Sequence, residues 1–186
     1  MNNKNKKILN QLNNRQSRNK LKKLGLPGII LIIIIAAASY YFTEDSPADE
    51  DRTEVTVDHY IDGDTTRFYY NGQSESFRYL IIDTPELNTS TGDPEPFAVE
   101  AADRTQELLE NAETIEVEFD VGPETDHHGR YLVYVYADGE MINERLVREG
   151  LASVRYLNPP NTSRQQQLED AERLAKEEGL GIWSLE

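Results

Sequence analysis

From residue 55 onward the apolar positions change period several times, and those changes divide the chain into elements. Val55, Val57 and His59 alternate with Thr56 and Asp58, and residues 65–70 are rich in β-branched and aromatic side chains, so both stretches predict strands. Asn71-Gly72 marks a tight turn and residues 77–82 supply the returning strand, giving a three-strand meander. Ala98, Ala101, Ala102, Thr105, Leu108, Leu109 and Ala112 then recur at helical spacing and predict a helix over about 97–111. Alternation returns at 115–119 and 131–136, where Asp138-Gly139 turns the chain out. Ile142, Leu146 and Val147 predict a short helix that Gly150 can end. A last helix is expected after a cap at Ser163, with Leu168, Ala171, Leu174 and Ala175 on one face and a stop at Gly179. Ile182-Trp183 is left as an apolar plug. Five strands and three helices make an α+β domain, built as a small barrel or as a sandwich of sheet and helices, and closure would protect the sheet edges.

A different pattern precedes this domain. Residues 24–42 run for 19 positions without a charge, which as a helix reach about 28 Å, near the thickness of bilayer hydrocarbon. Residues 1–43 carry eight Lys/Arg and no Asp or Glu, and the acidic stretch 43–53 follows the apolar run. This asymmetry predicts a basic cytoplasmic tail at 1–23, a single transmembrane helix or signal anchor at 24–42, an acidic linker at 43–53 and an extracytoplasmic domain at 54–186. The membrane is then a partner through the N-terminal helix, and the basic tail can touch anionic lipid heads. A signal peptide cleaved near Ala36-Ala37-Ala38 is the competing reading and would secrete the domain. Ordered structure is expected to begin near Val55.

Composition narrows the chemistry. At 186 residues the chain holds one ordinary domain plus an appendage. It has no cysteine, which excludes disulfides, thiolate catalysis and cysteine-based metal sites. The formal charge of −15 hides a division: beyond residue 43 there are 11 basic and 34 acidic residues, a net of −23.

Three polar clusters carry the candidate chemistry. Asp62-Gly63-Asp64-Thr65 can present a carboxylate at the mouth of a strand, although Asp-Gly-Asp is equally an ordinary turn. In the second cluster Arg78 lies within an apolar strand, with Asp83, Thr84 and Glu86 just past its end; an arginine there needs a partner, for which a salt bridge serves as well as a phosphate. The third is Asp126-His127-His128-Gly129-Arg130, a polar loop. Its adjacent histidines should point apart in extended chain, which disfavours a two-histidine metal site. Two carboxylates can bind a hard cation, a third can act on water, and two arginines can hold a phosphate, a set that fits phosphodiester hydrolysis.

From residue 57 to 184 the sequence resembles the staphylococcal nuclease, or thermonuclease, family. The shared stretches include Ile61-Asp62-Gly63-Asp64-Thr65, Phe77-Arg78, Asp83-Thr84-Pro85-Glu86, Thr125-Asp126, Gly129-Arg130, Tyr134-Val135-Tyr136-Ala137-Asp138-Gly139 and Gly181-Ile182-Trp183-Ser184. The resemblance implies an OB-fold, a five-stranded β-barrel with three helices, and a Ca²⁺-dependent endonuclease acting on DNA, with RNA left open as a second substrate; a monomer is expected. It implies Asp64, Asp83 and the Thr84 carbonyl as Ca²⁺ ligands, Glu86 acting on water, and Arg78 and Arg130 on the phosphate. Tyr156 matches a tyrosine of the nucleotide pocket, where His128 replaces another. The loop 87–97 also departs from the lysine-rich form of the best-known relatives. The competing reading is a noncatalytic OB-fold module that binds nucleic acid or protein.

Overall fold

A computed structural model describes residues 51–90 and 92–185. The expected meander is present as β2 (Thr56–Tyr60), β3 (Thr65–Tyr70) and β4 (Gln73–Tyr79), antiparallel throughout, but its third strand starts four residues earlier than expected and ends at Tyr79, because Ile81 turns the chain at φ 65° and Ile82 joins another strand. Its β3–β4 turn places Asn71 and Gly72 at φ 51° and 80°, the two left-handed positions of a tight hairpin. Strands β6 (Ile115–Phe119) and β7 (Tyr131–Ala137) form a second antiparallel pair, and β7 lies parallel to β4 with Arg78 opposite Leu132. The chain enters this sheet earlier than its apolar pattern indicates. Arg52–Glu54 form β1 beside β6, with Arg52 opposite Glu118.

The sheet order is β1-β6-β7-β4-β3-β2, with the short β8 (Glu140–Met141) beside β7. This ladder has two ends, so the expected closed five-stranded barrel is corrected to an open, mostly antiparallel sheet. The physical reason is local: β1 and β2 are consecutive in the chain, separated by Val55, and their backbone groups pair outward with β6 and β3 rather than with each other. A separate two-stranded sheet joins β5 (Ile82–Asp83) to β9 (Ser153–Val154).

Three helices pack on the sheet: α1 (Ala98–Glu110), α2 (Ile142–Arg148) and α3 (Gln165–Glu178). Ser163 does not cap α3 as expected: Arg164 holds the N-cap position with no side-chain cap, and the Ser163 backbone N–H donates to Asp120 Oδ2 at 3.0 Å. Gly179 does end that helix, in the left-handed conformation that glycine adopts without a Cβ clash. Residues Gly181–Leu185 form a closing 3-10 turn, with the Lys176 ammonium over the Trp183 ring. The core centres on Phe68, Phe77, Tyr79, Tyr134 and Leu146, all fully buried; burying side chains of this size contributes about 1.5–3 kcal/mol each.

No helix among the described residues is long and apolar enough to cross a membrane, and the apolar run 24–42 lies outside them. The expected transmembrane helix at 24–42, with the membrane as partner and the single-pass extracytoplasmic localisation that rest on it, thus falls outside the described residues and finds no support within them.

Candidate active site

Strand ends bring the polar clusters together. Asp64 stands just before β3 and Arg78 near the end of β4, and the β3–β4 register places Thr65 opposite Arg78. The helix α1 presses on the turn that carries Asp64: Thr105 Oγ1 donates to the Gly63 carbonyl at 2.6 Å. A Cβ on Gly63 would lie 2.8 Å from Thr84 Cγ2 and 2.9 Å from Ala101 Cβ, so glycine is required by the closeness of α1 and the Thr84 side chain. The turn therefore has a tertiary reason to contain Gly63, beyond the local freedom of Asp-Gly-Asp.

Arg78 holds the centre. Its guanidinium donates Nη2 to Asp83 Oδ1 at 3.0 Å and pairs through Nη1 with Asp64 Oδ2, so both carboxylates meet on one cation. Asp64 is 5% exposed and its Oδ2 also accepts the Thr84 N–H at 2.8 Å. Burial raises the Asp83 carboxyl, opposed by the neighbouring Arg78 charge. The partly hydrophobic position of an arginine in this strand thus has two acidic partners, as its desolvation demands.

Glu86 lies on the exposed stem past β5, and its carboxyl is raised by such burial as it has and then by the charges of Asp64 and Asp83. Asp62 belongs to the same acidic group. Burial, followed by repulsion from Asp64, pushes it up to about 6, and its Oδ1 accepts the Asp64 N–H at 3.1 Å. Asp62 was in view as part of the Asp-Gly-Asp motif but carried no assigned role; its contact with the Asp64 backbone gives it a structural one.

A cleft of about 340 Å³ opens over these groups, lined by Arg78, Asp83, Glu86, His128, Arg130 and Tyr156. That size is within the range of small-ligand sites. Arg130 comes from the far wall and is itself held: Nε and Nη2 both donate to Asp126 Oδ2 at 2.8 Å. Burial alone would raise Asp126, but backbone and side-chain bonds from Arg130 and the backbone N–H of His128 keep it below the usual carboxylate range. Tyr156, 61% exposed, has the Arg78 guanidinium 5.6 Å from its ring centroid. The two histidines do not point apart. Residues 127–129 form a turn, which brings the His127 and His128 rings to 3.8 Å, and both face the cleft.

Of the residues singled out in sequence, Arg78, Asp83, Glu86, His128, Arg130 and Tyr156 therefore share one cleft, while Asp64 and Thr84 lie buried beside it. Among the described residues no group of three or more His, Asp or Glu side chains converges as a ready metal cage. Two further cleft residues, Asn158 and Asn161, carried no sequence signal that distinguished them from loop polarity. Asn161 is tied down by its own amide, accepting from Gly122 N–H and donating to the Pro123 carbonyl.

The α+β domain thus gathers two arginines and several carboxylates around one cleft. The chain belongs to the staphylococcal nuclease homologue family, whose model matches residues 76–185. It is 44% identical over 131 residues to the SPbeta prophage-derived endonuclease YokF of Bacillus subtilis, covering 70% of this chain and 44% of the relative. Endonuclease YncB of the same organism is 43% identical over 130 residues, covering 70% and 61%. The thermonuclease of Staphylococcus intermedius is 34% identical over 148 residues, covering 77% and 86%. The chain thus spans less than two thirds of either Bacillus endonuclease.

Proposed function

We propose that this domain is a Ca²⁺-assisted nuclease that hydrolyses phosphodiester bonds in DNA and also in RNA. The observation that carries the reading is the single guanidinium of Arg78 spanning Asp64 and Asp83, with Glu86 and Arg130 in the same cleft. Two carboxylates drawn to one cationic centre form an all-oxygen donor set, which suits a hard divalent ion. Asp64, Asp83 and the Thr84 carbonyl would hold it. When bound, Ca²⁺ supplies positive charge against which phosphate and water are polarised.

The remaining steps belong to the chain. The donor forks of Arg78 and Arg130 bind the equatorial phosphate oxygens, where negative charge grows as water attacks phosphorus. Glu86, at the edge of the same cleft, accepts the proton of that water. Tyr156 and His128 offer ring faces to a base flanking the scissile phosphate. The competing binding module has use for the arginines but none for Glu86.

The test is cleavage of single-stranded DNA, duplex DNA and RNA by the purified protein, with Ca²⁺ and with a Ca²⁺ chelator. Ca²⁺-stimulated strand scission that chelation abolishes is expected. Binding without scission of any of the three would favour the module.

A further inference from the structure

The loop that follows Glu86 is closed at its neck by two bonds between the same pair of residues. The Glu86 N–H donates to Glu95 Oε2 at 2.9 Å, and the Glu95 N–H donates back to the Glu86 carbonyl at 2.9 Å. Inside the loop, Gly92 N–H reaches the Thr89 carbonyl at 3.0 Å and Thr89 Oγ1 reaches the Asp93 carbonyl at 2.7 Å. On the other side, the Ala98 N–H donates to the Glu95 carbonyl at 3.0 Å, where α1 begins with the fully buried Ala98. Glu95 therefore joins the backbone of Glu86 to the anchored end of α1.

The same helix fixes the opposite side of the acidic group through Thr105 and the Gly63 carbonyl. Without Glu95, Glu86 would hang from Thr84 and Pro85 on one side and a long exposed loop on the other. A carboxylate that must meet a water beside phosphorus loses rate when its range of positions widens, because the fraction of reactive arrangements falls. Its ground-state affinity for substrate need not change.

We propose that Glu95 is a positioning residue: its carboxylate and backbone latch the neck of the 86–95 loop and hold Glu86 in register with the bound phosphate. This rests on the nuclease reading above. Glu95 itself touches no reacting atom. Its side chain is required as a hydrogen-bond acceptor, so an amide oxygen should largely replace it, whereas truncation should not.

The experiment compares wild type, Glu95→Ala, Glu95→Gln, Glu86→Gln and the Glu86→Gln/Glu95→Ala double variant of the full chain in single-turnover and steady-state DNA cleavage. Hydrogen exchange of the Glu86 amide is followed in parallel. Glu95→Ala should lower kcat about tenfold with KM within about twofold, and Glu95→Gln should recover most of that loss. The double variant should cleave no more slowly than Glu86→Gln alone, because a group acting only through Glu86 has nothing left to position. The Glu86 amide should exchange faster in Glu95→Ala. An unchanged kcat in Glu95→Ala, equal impairment of Glu95→Gln, or a further tenfold loss in the double variant would each overturn the latch. A wild-type protein that cleaves nothing would instead overturn the nuclease reading, and the exchange measurement would still report whether the latch exists.

Discussion

The Arg78 guanidinium joins Asp64 and Asp83, so removing it would leave two partly buried carboxylates without their shared cation. An arginine in an apolar strand must be paired, and that requirement was visible in sequence; that its two partners would be the proposed metal-binding carboxylates was not, since it depends on where β4 ends relative to Asp64. The histidines failed for the converse reason. Their separation was inferred from extended geometry, and the turn at 127–129 replaced it. Asp120 offers a prediction of the same kind: burial alone would raise its carboxyl, but N–H groups of Ser163 and Val121 and the Tyr134 hydroxyl together hold it low. A carboxyl whose folded value is depressed binds fewer protons folded than unfolded, so its stabilisation is present above the ordinary carboxylate range and is lost as pH falls through the folded value. Asp120→Asn should therefore cost about 1–3 kcal/mol near neutral pH, from the weakened acceptor, and the difference from wild type should shrink below roughly pH 4. Thermal melts of both proteins from neutral to acidic pH provide the check; a gap that stays constant would contradict it.

Whole elements were the most legible level wherever a period ran long enough. The three helices and the β2–β3–β4 meander follow from spacing, and Asn71-Gly72 gave the hairpin turn. Strands of two or three residues, β1, β5, β8 and β9, are too short to show a period and exist because partner strands supply their hydrogen bonds. Ser163 misled because a capping residue is only a local signal, and the helix begins one residue later, with Arg164 at its N-cap. Packing of α1 on the Asp64 turn is likewise a tertiary fact, and it makes Gly63 sensitive. Gly63→Ala should lower stability by about 1–3 kcal/mol, as overpacking does, and should lower cleavage as well, because Thr84 and Ala101 of α1 must shift to admit the methyl group. Denaturant titration with a matched rate measurement tests this; an unaltered midpoint would show that α1 yields easily.

At the scale of the molecule, the α+β class could be read, whereas closure of the sheet could not, since that depends on where β1 and β2 send their backbone bonds. Charge also acts at this scale. With a formal net charge of −15, the protein repels a polyanion over a distance set by ionic strength, about 10 Å at 0.1 M salt. Arg78 and Arg130 are each paired with acids, so they do little to reverse that field at long range. Raising monovalent salt from about 10 to about 100 mM at fixed free Ca²⁺ should leave KM for DNA unchanged or lower it, opposite to the loss typical of many-phosphate contacts. Initial rates across a DNA titration read this, and a steep rise in KM would show that the local arginines govern association. The proposed hydrolysis is tested most directly at Glu86, whose proposed role lies in cutting and not in holding. Single-turnover cleavage and uncleaved-substrate affinity should be measured for wild type and Glu86→Gln at saturating Ca²⁺. The cleavage rate should fall at least about 10²-fold while Kd changes little; a folded Glu86→Gln protein that cleaves like wild type would contradict the assignment.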